Sequence, residues 1–550
     1  MPIATVPGRV AASLVSLAVF GILHLQAGAS EPAADRGGAV TLVEGSRLHG
    51  IQGLVWGPDG RLYAGSISGQ RISRIDPVSG SVTEVVGPPH GEADDLAISP
   101  DGALAWTAIV AGELRFKAPG GSVQVLASGL PAINPVTFGP EGQIFFGQLG
   151  PVSTLFEIHP KGGQKARLIT KEVDQLNSFE VGADRRLYGP FWESGVLVAI
   201  DTNSGAIDRL ATVPGTPSAV SLDARGRLIS IDYNSGALRR TDPKTGQSEL
   251  LANLEPPNDN LAVGADGLVY VSDTARSGII AVDPDSGTQR RLLPGEFATV
   301  GGLDLATVEG REVIVAADST GYRYIDPQTG VVVRPRFDMS LGGSTDVALG
   351  PDWVVTTDVR LGRLRKIDRR TRVVLEDMKD LRAPMGVRVL EDGSIVFVEY
   401  ATGVLSVARG GARREIASGL RGPVGLADGG SGSVLVSEHD AGEIRSVKLA
   451  DGASRVIARG LDRPEGLAMM ADGRVAVAET GRNRVVAIDP ATGSIVELAG
   501  GLPFGTNAIL TPPAVGMPAG IVVDSAGAIY VSCDGDNSVR KISAPGRPAS

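Results

Sequence analysis

The sequence predicts an all-β chain of tandem β-propellers, about twelve four-stranded blades in two six-bladed rings. Three observations predict it. One phrase recurs roughly every forty residues of the 550-residue chain: a hydrophobic strand, a D-G or related turn, a second strand, and a third ending near I-D-P-x-x-G. Glycine at 74 positions and proline at 35 supply the turns that such a chain needs. The last copy of the phrase lacks an outer strand, and a segment near the N-terminus can supply it.

The first observation carries most of the weight. Clear copies are GLVWGPDGRLYAGSISGQRISRIDPVSG from Gly53, NLAVGADGLVYVSDTARSGIIAVDPDSG from Asn260 and GLAMMADGRVAVAETGRNRVVAIDPATG from Gly466. The aspartate closing the third strand falls at Asp201, Asp242, Asp283, Asp326 and Asp368, in steps of 41, 41, 43 and 42 residues. D-G between alternating apolar segments provides the positive-φ position of a tight hairpin between strands a and b. The S-G or T-G after I-D-P turns the chain into an outer strand such as SVTEVV or SIVEL. One such unit cannot bury both faces alone, so units pack radially around a channel.

Counted from the first a strand, units begin near 50, 91, 130, 174, 214, 255, 296, 341, 382, 420, 461 and 503. Propellers usually hold about four to eight blades, so twelve units predict two rings, residues 46–293 and 294–545, rather than one unusually wide ring. The final unit has strands over 520–523, 528–532 and 539–542, but the remaining SAPGRPAS offers no fourth strand, and 546–550 form a tail. Residues 39–45, beginning AVTLVE, read like the outer strands elsewhere and are expected to close the last blade. The strand must then cross from the start of the first ring into the second, so two chain crossings join the rings rigidly.

Composition narrows the function classes. A net charge of −10 and a pI near 5.2, without a clustered Arg/Lys face, argue against nucleic acid as a partner. The single cysteine, Cys533 in the strand YVSC, excludes an intrachain disulfide and a cysteine metal site, and reads as a small buried hydrophobe. Arg9 precedes an apolar stretch from Val10 to Leu25, and Ala27-Gly28-Ala29 resembles a cleavage site. Residues 1–29 therefore read as a signal peptide and 30–38 as a flexible leader, predicting a periplasmic or secreted protein with no membrane span after cleavage. An uncleaved anchor is the alternative reading of the same stretch.

Chemistry in a propeller collects where strand a of every blade starts at the channel. The residues at that position are Gln52, Asp94, Asn134, Asn177, Ser218 and Asp259 in the first six units, all polar. In the last six they are Gly301, Thr345, Met385, Val424, Glu465 and Ala519, mostly apolar. Any polar site is thus expected in the N-terminal ring. Two carboxylates with amide oxygens suit a hard cation, Ca²⁺ or Mg²⁺, better than zinc, because no histidine shares the position. A water-filled, polar channel mouth is the plainer reading of the same residues.

The N-S-F-E-V at Asn177 and N-D-N-L-A-V around Asp259 resemble the gluconolactonase/regucalcin group (SMP-30-like) of six-bladed propellers; the repeats are also similar to NHL repeats and streptogramin (virginiamycin B) lyase propellers. The first resemblance implies a divalent cation held by Asn134, Asn177, Asp259 and Gln52, with Asp259 or Asp94 as base. It implies a metal-dependent hydrolase of lactones or esters acting on a small molecule. Two departures weaken the match: Gln52 stands where the group has a glutamate, and Asp259 is followed by Asn260 rather than glycine, one unit late.

Two alternatives stay open. A non-catalytic propeller would present its channel or rim to an extracellular ligand or a partner protein, which fits the apolar second ring. A streptogramin-lyase-like enzyme would need a histidine base. Of five histidines only His439 stands beside acids, in V-S-E-H-D, and it reads as a charged surface turn. Glu465, in R-P-E-G-L-A, reads as a solvated residue without partners. No nucleophile elbow, zinc signature or phosphate loop is present.

Overall fold

A computed structural model describes residues 38–150, 153–160, 165–171, 173–335, 337–338, 341–505 and 517–543. The segments expected to be a signal peptide (1–29) and a tail (546–550), and most of the expected leader (30–38), lie outside them. The described residues form twelve four-stranded antiparallel sheets, each in the order a-b-c-d. Blade 1, for example, comprises Ile51–Trp56, Leu62–Ser66, Arg71–Ile75 and Val82–Val86.

The recurrent phrase has a local physical basis at both turns. At the a–b turn Gly57 N–H donates to Arg61 O, and Gly60 alone takes positive φ, at +70°. The hairpin is therefore a three-residue loop with glycine in its left-handed position, not a two-residue one. Asp59 stays in an ordinary conformation, accepting from Arg61 N and from the Tyr63 hydroxyl. At the c–d turn the aspartate of I-D-P accepts from the backbone two and three residues on: Asp76 Oδ1 takes Val78 N and Ser79 N, both at 2.9 Å. Those bonds hold the Asp76 carboxyl below its ordinary range. Asp201, Asp242, Asp283, Asp326 and Asp368 repeat this side-chain turn, so the period marks the aspartates that end strand c.

Two rings close. Strand a of blade 1 packs against strand a of blade 6, Asn258–Val263. Strand a of blade 7, Val300–Val308, packs against that of blade 12, Ile521–Val523. Blade 12 obtains its fourth strand from Ala39–Val43, paired antiparallel with Ser538–Ile542 in the register Ala39↔Ile542 and Thr41↔Arg540. The core lies between blades. Ile51, Leu54 and Leu62 meet Tyr270 and Ile279 at the first closure, and Val43, Phe297 and Val300 meet Tyr530 and Val539 at the second.

The rings share a junction built from both chain crossings, residues 44–50 and 294–299. Ser277, on the b–c loop of blade 6, donates from Oγ to Ala298 O and accepts from Gly50 N. Asn537, on the b–c loop of blade 12, donates to Leu48 O and Ala298 O. Each crossing passes so close to these loops that a Cβ on Gly45 would collide with Asp536 O, and one on Gly295 with Arg276 O. His49 Nε2 lies 2.8 Å from Asp534 O, and burial keeps its imidazole neutral, lowered to about 4. The b–c loop ends of the two rings therefore meet. No helix among the described residues is long and apolar enough to cross a membrane.

Candidate functional site

Strand a of most blades begins with a β-bulge, as between Ile51 and Leu54, Ile133 and Val136, and Asn258 and Leu261. A bulge breaks the alternation of side chains, so two successive residues reach the channel instead of one. The outer layer comprises the residues expected from the sequence, and a second layer comprises the residues that follow them.

In the outer layer Asn134 Nδ2 donates to Asp94 Oδ2, and Thr107 Oγ1 donates to Asn134 O at 2.5 Å, which fixes blade 2 against blade 3. Asp94 is 5 % exposed. Its carboxyl is raised well above the ordinary range by burial, then by the charges of Asp259, Asp95 and Glu92, against the Asn134 bond. Asp259 is partly open to the mouth, and desolvation followed by the charge of Asp95 pushes it up to about 7. No described residue donates a hydrogen bond to the Asp259 carboxylate. Gln52 Oε1 is buried without a hydrogen-bond partner. Asn177 Oδ1 accepts from Ser178 N at 2.9 Å. Ser218 does not join this set, because its hydroxyl turns toward Ile231 O and Asn258 O between blades.

The second layer, absent from the sequence reading, is a plug. Asp95 accepts from Leu96 N (2.9 Å), Val136 N (3.1 Å), Ser178 Oγ (3.1 Å) and Asn260 Nδ2 (2.9 Å), so one carboxylate ties blades 2, 3, 4 and 6 across the channel. Burial nevertheless lifts it to about 6. Its residues stand in D-D-L, N-S-F and D-N-L, one residue beyond the strand-start position at the channel. Below the plug the channel holds a cavity of about 470 Å³, lined in part by Asp95, Ser178, Glu180 and Asn260. A second cavity of about 910 Å³ adjoins it at the a–b turns, whose acids Asp223 and Asp266 are engaged by Arg227 and Tyr270. The polar cluster thus sits at the opposite end of the channel from the cavity at the a–b turns.

Above the outer layer, Tyr233 and Trp192 project from the b–c loops of blades 5 and 4, ring centroids 5.5 Å apart. Tyr233 also meets Phe337 of blade 7, in the other ring, at 5.7 Å. Burial, then the charges of Asp259 and Asp94, raise the Tyr233 hydroxyl, while Arg360 of blade 8 lowers it. The hydroxyl therefore stays protonated and can donate.

In the second ring the layer equivalent to the plug is glycine except at Asp346, which accepts from Val347 N and Val387 N as Asp95 does. Glu465, expected to be solvated, is 8 % exposed and accepts from Ala519 N at 2.6 Å and Thr480 Oγ1 at 3.1 Å. Blade 12 folds over it, a contact invisible in R-P-E-G-L-A. Burial, then Asp534, pushes its carboxyl up to about 8. Between its unfolded value of 4.5 and about 8 the native state keeps a proton that the unfolded chain has lost, so its contribution to stability declines as pH rises. Glu465→Gln is expected to remove that decline, narrowing the pH 5 to pH 8 difference in urea unfolding by on the order of 2 kcal/mol; an unchanged difference contradicts the assignment. His439 is likewise no open surface turn. Its side chain is 12 % exposed, Nδ1 lies 2.8 Å from Asp440 Oδ1, and the Tyr400 hydroxyl donates to the same oxygen.

No family model matches the chain, and no curated protein matches it. Among solved structures it is similar to a streptogramin B lyase, 14% identical, covering 64% of this chain and 93% of that one at a TM-score of 0.37. It is similar to virginiamycin B lyase from Staphylococcus aureus, 18% identical over 50% of this chain and 94% of that one, TM-score 0.38. It is also similar to a gluconolactonase from Xanthomonas campestris, 16% identical over 43% and 86%, TM-score 0.36.

Proposed function

We propose that the protein is a divalent-cation-dependent hydrolase of lactones or esters, exported to the periplasm or the medium, acting at the Asp94–Asp259 mouth of the N-terminal ring. One observation carries this reading: two carboxylates converge where their dominant charged neighbours are also acidic, in the channel layer where the buried Gln52 Oε1 lacks a partner. Buried like charges of this kind are costly unless a proton or a cation balances them.

The residues fit a hard cation. Asp94, Asp259, Gln52, Asn134 and Asn177 offer oxygen alone, and two carboxylates match a double positive charge. No group of three or more His, Cys, Asp or Glu side chains is arranged for a metal among the described residues, so amide oxygens would have to complete the shell. When bound, Ca²⁺ or Mg²⁺ supplies Lewis acidity toward a carbonyl oxygen. Asp259, the carboxylate free of hydrogen bonds, accepts the proton of the attacking water; Asn134 holds Asp94 in place. The Tyr233 hydroxyl donates to the departing alkoxide side. The exported location rests on the reading of residues 1–29.

Thermal unfolding with Ca²⁺, Mg²⁺, Mn²⁺ or EDTA is the first test, since a ligand of the native state alone raises Tm. The second is a panel of lactones and aryl esters. Asp259→Asn is expected to abolish the cation-dependent rise and to lower hydrolysis by about 100-fold or more. Indifference to every cation, with hydrolysis intact in Asp259→Asn, refutes the reading; cation binding without any hydrolysis leaves a binding propeller.

A further inference from the structure

Where the two rings meet they enclose a cavity of about 120 Å³. One wall belongs to the first ring: Glu255 and Pro257, between blades 5 and 6, and Ala275 on the b–c loop of blade 6. The other belongs to the second ring and carries three arginines. Arg323 lies in strand c of blade 7, Gly321–Ile325, and Arg334 follows the last strand of that blade. Arg372 lies in the c–d turn of blade 8. At roughly 30 Å³ per water such a space holds one small ion, whereas sites for larger ligands begin near about 300 Å³.

The arginines keep N–H groups that the protein does not use. Arg323 donates from Nη1 to Tyr322 O and from Nη2 to Asp318 and Thr320 Oγ1, but its Nε is buried without a partner. Arg334 pairs through Nη2 with Glu296 and through Nη1 with Glu255, and its Nε is also left over. Arg372 forms no ion pair with a described residue, and both its Nε and its Nη1 are buried without a hydrogen bond. Four unpartnered nitrogens thus belong to side chains around one cavity. A buried N–H without an acceptor is costly, so native structures rarely leave several together. The only carboxylate in the wall, Glu255, is already engaged by Arg276 and Arg334. Burial, then the charge of Arg276, lowers the Arg334 guanidinium to about 10, in keeping with crowded cations.

We propose that this inter-ring cavity binds a doubly charged oxyanion of the phosphate or sulfate class, with Arg372 as its principal ligand and Arg323 and Arg334 as flanking donors. Planar guanidinium groups match the oxygens of such an ion, and a dianion balances converging cations better than a monocarboxylate does. None of the residues at the Asp94–Asp259 mouth lines the cavity, so the site is independent of the hydrolase reading. The bound ion touches walls from both rings and strengthens their junction. Phe337, which also lines the cavity, meets Tyr233 of the first ring at 5.7 Å.

Calorimetric titration of the full-length protein with phosphate, sulfate and acetate at constant ionic strength tests the proposal. Saturable binding of phosphate or sulfate is expected, with acetate about tenfold weaker or more. Which dianion binds more tightly identifies the ion. Arg372→Gln is expected to weaken the dianion by about tenfold or more, and Arg372→Lys by less. Arg370→Gln, on the same turn but exposed and outside the cavity, is expected to change nothing. Because Arg372 lacks a partner, Arg372→Gln should keep the Tm of the ion-free protein and lose only the rise that the dianion brings. Absence of saturable dianion binding, acetate binding as tight as phosphate, or equal losses in Arg372→Gln and Arg370→Gln overturns the proposal.

Discussion

Deleting residues 39–43 is expected to unfold the C-terminal ring before the N-terminal one. The segment lies at the start of the chain, yet it serves as the outer strand of blade 12, paired with Ser538–Ile542. Its Ala39 and Val43 are each 2 % exposed, Val43 within the core that also holds Phe297, Val300 and Tyr530. Removing it strips a full ladder of hydrogen bonds and uncovers that core at the junction with blade 7. One buried valine is worth about 1.5–3 kcal/mol, and an opened edge exposes an unpaired strand to other chains. Trp353 reports on the second ring, while Trp56, Trp106 and Trp192 report on the first. Urea unfolding followed by fluorescence in a Trp353→Phe background and in its parent should separate the rings. An early transition that disappears with Trp353 is the expected result; earlier loss of the first ring, or no loss, rejects the closure.

Asp95→Ala should destabilise the first ring by about 3–5 kcal/mol, the range for removing one member of a buried, fully bonded charged network. The substitution leaves Val136 N and Asn260 Nδ2 without the acceptor that Asp95 provides, while Ser178 loses its bond across the channel. The damage spreads over blades 2, 3, 4 and 6 because one side chain reaches all of them. Asp95→Asn keeps the shape and one acceptor oxygen, and is expected to cost less than half as much. Urea midpoints of the two variants decide the matter. If Asp95→Ala changes stability by less than about 1 kcal/mol, the plug is not a structural tie.

The outer-layer residues expected from the sequence have different surroundings for a definite reason. Asp94 and Asn134 come together because adjacent blades place equivalent strand positions side by side. Asp95, Ser178 and Asn260 escaped notice because strict alternation would have pointed them away from the channel, and the bulges at the strand starts point them in. Ser218 was included because a hydroxyl at that position can serve a site, but its rotamer engages the backbone of blades 5 and 6. Glu465 reads as solvated because its ring lacks matching Asn and Asp partners, but Ala519, far along the chain, covers it.

By itself the sequence determined the blades, their number and the missing strand, because turns are local. Asp76 caps its own turn within three residues, Gly60 supplies its own positive φ, and the repeat of such turns counts the units. Only the tertiary structure decided which polar side chains converge, how deep the acids lie, and that Phe337 of one ring meets Tyr233 of the other. Those contacts join residues on separate blades and separate rings. Their energies depend on closing the rings and laying their loop ends together, which no pattern within a forty-residue unit encodes.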